Sequence, residues 1–211
     1  MRLLTILGSK GGVGKSTLAS NLLVAAGLQG LDVVGMDLDN QGSLAAWAAK
    51  RHATGTEPVV RTIAEHLTSW RRALATGKPE LVIADTPPGL LDEDHRAASR
   101  ELALASQLVL IPALAEGPTL EMLGAVGGSL RDMGAPVVFV LNKVDPRRRA
   151  TKAARGYLSA FCEVCEEEIP AREHVHQAMH DGLAVVEDSR LGAHEQMLAL
   201  WGFVARRLEL R

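Results

Sequence analysis

A short apolar run, Leu3 to Leu7, leads directly into Gly8-Ser9-Lys10-Gly11-Gly12-Val13-Gly14-Lys15-Ser16-Thr17, and an apolar-periodic segment follows from Leu18 to Leu28. The order strand, glycine loop, helix constrains this chain more than any other feature. Glycines let a loop wrap closely enough for successive backbone N–H groups to face phosphate oxygens, and the new helix adds the positive end of its dipole. Lys15 is placed to reach β- and γ-phosphates, and the Ser16 hydroxyl to ligate Mg²⁺. The usual phosphate-loop pattern has a glycine five residues before Gly14. That position is Ser9 here, and a second lysine, Lys10, follows it.

The rest of the chain supplies a frame for such a loop. Apolar β-type runs recur at 3–7, 32–36, 81–85, 107–112 and 136–141. Each is short and continuous, as strands buried on both faces are. Helical patterns lie between them at 17–29, 60–76, 94–104 and 119–133. The alternation implies an α/β fold: a mostly parallel twisted sheet with right-handed crossovers and helices on both faces. Ligands of such sheets bind at the carboxyl ends of strands, and Gly8, Asp37, Asp85 and Asn142 are expected at or just beyond those ends. At 211 residues, a single domain over 1–211 is expected. With aromatics at 3%, its core must be built from Leu, Val, Ala and Ile. The net charge of −2 excludes a globally basic nucleic-acid binder, so any DNA contact must come from a local patch. No apolar run reaches the ~18 residues that span a bilayer. The N-terminus reads as a core strand and not a signal peptide, and the two cysteines as reduced cytoplasmic thiols.

Lys10-Gly11-Gly12-Val13-Gly14-Lys15-Ser16 resembles the deviant phosphate loop of the ParA/MinD ATPases. Asp37-Leu38-Asp39-Asn40-Gln41 is similar to the family's Asp-x-Asp-Pro-Gln element, with Asn40 in place of proline, and Leu81 to Gly89 resembles its second acidic strand end. The similarity runs from Met1 to about Leu208, closest to the small ParA proteins without an N-terminal DNA-binding domain, and it implies a P-loop NTPase-like fold. It implies ATP and Mg²⁺, with Gly11, Gly12, Val13, Gly14, Lys15, Ser16 and Thr17 around the phosphates. Ser16, Asp37 and Asp85 would stand at the metal, Asp39 would orient the attacking water, and Lys10 would cross a dimer interface to the partner's phosphates. Two ATP molecules would then join two subunits face to face.

Asn142-Lys143-Val144-Asp145 looks like the family's base-recognition element, its amide suiting an adenine edge. The same four residues match the guanine-reading Asn-Lys-x-Asp of GTPases, so the local residues leave the base open. Glu121, after Pro118, is a weaker candidate for the ribose. Asp37 and Asp39, two apart on an extended chain, point the same way, and a helix cap for the segment beginning near Ser43 is the competing role.

The resemblance implies a slow, ATP-switched dimer, and the next question is what it binds. Arg147, Arg148, Arg149, Lys152 and Arg155 form an acid-free basic run, with Arg148, Lys152 and Arg155 on one helical face. Such a patch can neutralise DNA phosphates without base-specific readout. Arg206, Arg207 and Arg211 form a weaker cluster. The expected function is partition of plasmid or chromosome DNA on the nucleoid, with a ParB-like partner stimulating hydrolysis. The alternative is positioning of a protein cargo such as a chemotaxis cluster or carboxysome. A membrane-bound, MinD-like role is the weakest reading. The last helix, about 193–208, places Met197, Leu200, Trp201, Val204 and Leu208 on one face, as an ordinary packed helix does. Cys162 and Cys165 fit one face of a helix as small apolar residues, and with His174, His176 and His180 they make a poor zinc pattern.

Overall fold

The structure, a computed structural model, describes residues 1–75, 77–89, 93–115 and 119–210. Its centre is a parallel sheet of β1 (Arg2–Gly8), β2 (Val33–Asp37), β3 (Arg61–Ala64), β4 (Leu81–Pro88), β5 (Leu108–Ala113), β6 (Val137–Val144), β7 (Glu163–Val164) and β8 (Ile169–Pro170). The order is β3-β2-β4-β1-β5-β6-β7, with β8 pairing β6 farther along. The helices are α1 (Lys15–Leu28), α2 (Ser43–Ala53), α3 (Trp70–Leu74), α4 (Glu93–Ala105), α5 (Thr119–Asp132), α6 (Arg149–Ser159), α7 (Glu173–His180) and α8 (His194–Arg207).

Alternation along the strands divides the core into two sides. Leu4, Ile6, Leu81, Ile83, Leu108 and Leu110 pack with α1, α2, α7 and α8 on one face. Their neighbours Leu7, Val109, Ile111 and Phe139 pack with α5 and α6 on the other, while Leu3, Val82 and Ala84 meet Trp70 and Leu102. The strands are apolar at nearly every position because both faces are covered. The expected face of α8, Met197, Leu200, Trp201, Val204 and Leu208, is buried in the first of these clusters.

One expected element is replaced. The pattern over 60–76 suggested a helix, but 61–64 is strand β3, followed by a 3₁₀ turn at Leu67–Ser69 and the short α3. β3 pairs in parallel with β2, Val34 opposite Arg61 through Asp37 opposite Ala64. Val60, Ile63, Leu67, Trp70 and Leu74 are spaced as on a helix, yet the open edge of β2 outbids that local signal by offering a ladder of backbone hydrogen bonds. Two strands also run farther than expected. β4 continues to Pro88 and β6 to Val144, so Asp85 and Asn142 lie inside strands and only Gly8 and Asp37 are terminal residues.

Candidate functional site

Four strands bring the site together at one edge of the sheet. β1 ends at Gly8, and α1 begins after Gly14, which sits at φ 96° as the helix N-cap. Gly14 must be glycine twice over, since its φ is left-handed and a Cβ there would lie 2.3 Å from Asn142 Nδ2. Lys15 is buried, its stem lying over Gly8, where a Cβ would come within 2.7 Å of Lys15 Cδ. Lys10, Gly11 and Gly12 are exposed at the crest of the loop, Val13 is buried, and Ser16 and Thr17 are half-buried at the start of α1. Among the described residues Lys10 has no ion pair. The two lysines therefore differ in kind: one turns inward to its own loop, the other outward.

The acids sit side by side, with Asp37 opposite Asp85 where β2 pairs β4. Asp37 accepts from the backbone N–H of Asp39 at 3.1 Å and of Ala45 at 2.8 Å, so its carboxylate satisfies an otherwise unpaired N–H of α2. The N-cap residue itself is Gly42, without a side-chain bond, so Asp37 serves the first turn of α2 from outside the helix and the N-cap pair of Asp37 and Asp39 is not formed. Asp37 and Asp39 do not share an extended chain, because β2 stops at Asp37 and a turn begins. Asp39 accepts from Gln41 N at 3.0 Å through its side chain and from Gly42 N at 2.8 Å through its carbonyl. These bonds hold the turn without the proline that Asn40 replaces.

Asp85 is fully buried, and neither carboxylate oxygen has a hydrogen-bond partner of good geometry. Burial lifts its pKa to about 7; the nearby Ser16 hydroxyl and Lys15 ammonium oppose the rise, and Asp37 and Asp39 add to it. Burial also raises Asp37, against its two backbone donors, and lowers Lys15, against the attraction of Asp85 and Asp39. An orphaned carboxylate beside a hydroxyl and a second acid is the donor set of a hard divalent cation, so Ser16, Asp37 and Asp85 fit Mg²⁺ with waters completing its shell.

Beside the loop is a cavity of about 260 Å³ lined by Thr17, Asn142, Lys143, Pro170, Arg172 and His176, among others. Asn142 is buried in its wall, with Nδ2 donating to the Val13 carbonyl at 2.7 Å. This bond takes one of the two Nδ2 hydrogens, and Oδ1 and the second N–H are left for a ligand. Lys143, at φ 55°, donates from Nζ to the Gly12 carbonyl at 2.7 Å, and burial lowers its pKa. Asp145 is not in this wall; it accepts from Arg147 N at 3.1 Å and tops a turn. The segment Ile169–Arg172 supplies a further wall, placed there by the pairing of β8 with β6; it opens the stretch 169–187 that resembles the family's late loop and helix. Glu121 lies exposed on the first turn of α5, and Pro118 before it is outside the described residues.

The basic run divides. Arg147, Arg148, Arg149 and Lys152 are exposed, with Arg148 3.9 Å from Asp145; of the four, Arg147 and Arg148 line a broad groove shared with Arg172 and His194. Arg155 does not belong to that surface. It is half-buried, donates to Glu168 Oε1 at 2.8 Å and to the Cys165 carbonyl at 2.9 Å, and ties α6 to the loop before β8. Five donors on one planar fork favour this internal use over a solvated face. Arg207 pairs with Glu163 and lies over the Phe203 ring, so the second basic cluster is partly neutralised; Arg211 is outside the described residues. Cys162 and Cys165 are free and buried, but they flank strand β7 and not a helix, and they enter opposite core clusters. No group of three or more His, Cys, Asp and Glu side chains that could hold a metal occurs among the described residues, and His174, His176 and His180 are exposed. Nor is any helix among the described residues long and apolar enough to cross a membrane.

The family model for the CobQ/CobB/MinD/ParA nucleotide binding domain matches residues 4–185. The chain is 31% identical over 189 residues to the maintenance of carboxysome distribution protein A of Gloeobacter kilaueensis, covering 88% of this chain and 84% of that protein. It superposes with a TM-score of 0.76 on the septum site-determining protein MinD of Pyrococcus horikoshii OT3 in complex with Mg-ADP, at 20% identity over 96% of this chain and 95% of that one. Apo McdA of Cyanthece superposes at 0.69, with 16% identity over 96% and 98%. The glycine loop, the paired acids on β2 and β4 and the family match over most of the sequence lead to one conclusion: the chain belongs to the CobQ/CobB/MinD/ParA nucleotide-binding family.

Proposed function

We propose that this chain is an ATPase that pairs on ATP, binds DNA without sequence preference while paired, and is released by hydrolysis, so that it positions a cargo along the nucleoid. The observation that carries the reading is the division of labour between the lysines: Lys15 is buried beside Asp85, while Lys10 stands exposed on the same loop. An outward ammonium beside a triphosphate can stabilise charge on a ligand held by a second subunit, as an arginine finger does in trans. ATP and Mg²⁺ are the proposed cofactors. Mg²⁺ would be held by Ser16 and Asp85, with Asp37 behind them, and would neutralise charge on the phosphates. Gly11 to Thr17 would hold the phosphates, Asn142 Oδ1 the base, and Asp39 the attacking water. Adenine is favoured over guanine because Asp145, the fourth residue of the Asn-Lys-x-Asp match, is used in its own turn and lies outside the cavity wall.

The DNA surface we assign to Arg147, Arg148, Arg149 and Lys152, doubled by pairing. A partner protein carried by the cargo would stimulate hydrolysis. A ParB-like adaptor on plasmid or chromosome DNA is one such partner. The 31% identity to a carboxysome distribution protein favours a protein assembly as the cargo instead. The test is the assembly state in solution by light scattering, with ADP, ATP and a nonhydrolysable analogue, for the wild type and Lys10→Ala. A dimer with ATP and the analogue only, lost in Lys10→Ala, is expected. A wild-type chain that stays a single subunit with every nucleotide refutes the proposal.

A further inference from the structure

Two consecutive residues of β6 reach back to two consecutive peptide groups of the phosphate loop. Asn142 Nδ2 donates to the Val13 carbonyl and Lys143 Nζ to the Gly12 carbonyl, each at 2.7 Å. A trans peptide is planar, and its N–H points opposite its C=O. Drawing the Gly12 and Val13 carbonyls toward β6 therefore turns the N–H groups of Val13 and Gly14 the other way, toward the inside of the loop. Gly12, at φ 77°, belongs to a stretch where glycine permits other peptide orientations, so an external constraint has something to choose between. Lys143 holds this contact from a left-handed backbone, φ 55°, that a lysine seldom adopts.

We infer that Lys143 is a positioning residue for phosphoryl transfer: with Asn142 it orients the Val13 and Gly14 N–H groups at the phosphates, and it does not contact the ligand through its ammonium. This rests on the ATPase reading above. As the terminal phosphoryl group leaves, negative charge grows on the phosphate that remains, and N–H donors already aimed there gain more in the transition state than in the bound state. Losing the orientation should therefore slow turnover more than it weakens nucleotide binding.

The experiment measures steady-state ATP hydrolysis and ADP affinity for the wild type, Lys143→Met, Lys143→Gly and Lys143→Arg. Glycine adopts the left-handed backbone without strain, so Lys143→Gly removes the side chain without burdening the fold. Both Lys143→Met and Lys143→Gly should lose about tenfold in kcat, with KM and ADP affinity each within about threefold of wild type. Lys143→Arg, which keeps a donor, should restore most of kcat. Unchanged kcat in Lys143→Gly, or a loss of ADP affinity as large as the loss of kcat, overturns the assignment while leaving the ATPase reading intact. A wild-type chain with no turnover removes both.

Discussion

Replacing Asp85 with asparagine tests the claim that this site is held at a cost to the empty fold. Lifting a carboxyl from 3.8 to about 7 corresponds to about 4 kcal/mol against its charged form, at 1.36 kcal/mol per tenfold change in ionisation. The folded pKa is the higher one, so between these values the native chain keeps a proton that the unfolded chain has lost. Stability is thus greatest at low pH and falls as pH rises through the window. From about pH 5 to about pH 8 the loss attributable to Asp85 is about 3 kcal/mol. Asparagine has nearly the same shape and no charge. In Asp85→Asn this part of the pH dependence should vanish, leaving the component of Asp37, which is shifted the same way in both chains. Lys15 loses an attractive neighbour in the variant, so the gain near pH 8 should be about 1–3 kcal/mol and not the full penalty. Urea unfolding followed by the fluorescence of the buried Trp47, Trp70 and Trp201, without nucleotide and with a chelator present, gives both curves. Parallel pH profiles, or a variant less stable than wild type near pH 8, would refute the reasoning.

Arg51 is 1% exposed and forks onto Glu187 at 2.7 and 2.9 Å while donating to the carbonyls of Glu57, Pro58 and Gly182. Glu187→Gln should cost about 3 kcal/mol in urea unfolding, and a cost below about 1 kcal/mol would mean the pair behaves as an exposed one. Asp39→Ala should retain ATP and the paired state but stop hydrolysis in a phosphate-release assay; normal turnover would remove Asp39 from the water-orienting role. Alanine at Arg147, Arg148, Arg149 and Lys152 together should abolish ATP-dependent DNA retention with pairing intact, and retention at matched salt would place the DNA surface elsewhere. Arg155→Ala should instead lower stability, because its guanidinium is engaged with Glu168 and two carbonyls.

What the residues alone determined is the frame and the chemistry at its edge. Short continuous apolar runs bounded by turn residues suit strands covered on both faces, and a glycine loop between such a strand and a helix suits phosphate. The loop, Asp85 and the packed face of α8 could therefore be named from spacing and residue type. Tertiary structure decided what depends on a partner distant in sequence. Strand β3 exists because β2 had an open edge, against a helical spacing of its own apolar residues. Asp37 came to serve the first turn of α2 because the turn at Asp39 brings Ala45 back to it. Arg155 left the basic surface because Glu168 and the Cys165 carbonyl came within reach. Asn142 and Lys143, more than a hundred residues from the phosphate loop, could be shown to hold its peptide groups only once the sheet had set β6 two strands from β1, across β5, within reach of the loop. Hydrogen-bond partners are selected by proximity in space, and a linear pattern carries no record of which distant carbonyl a donor will meet.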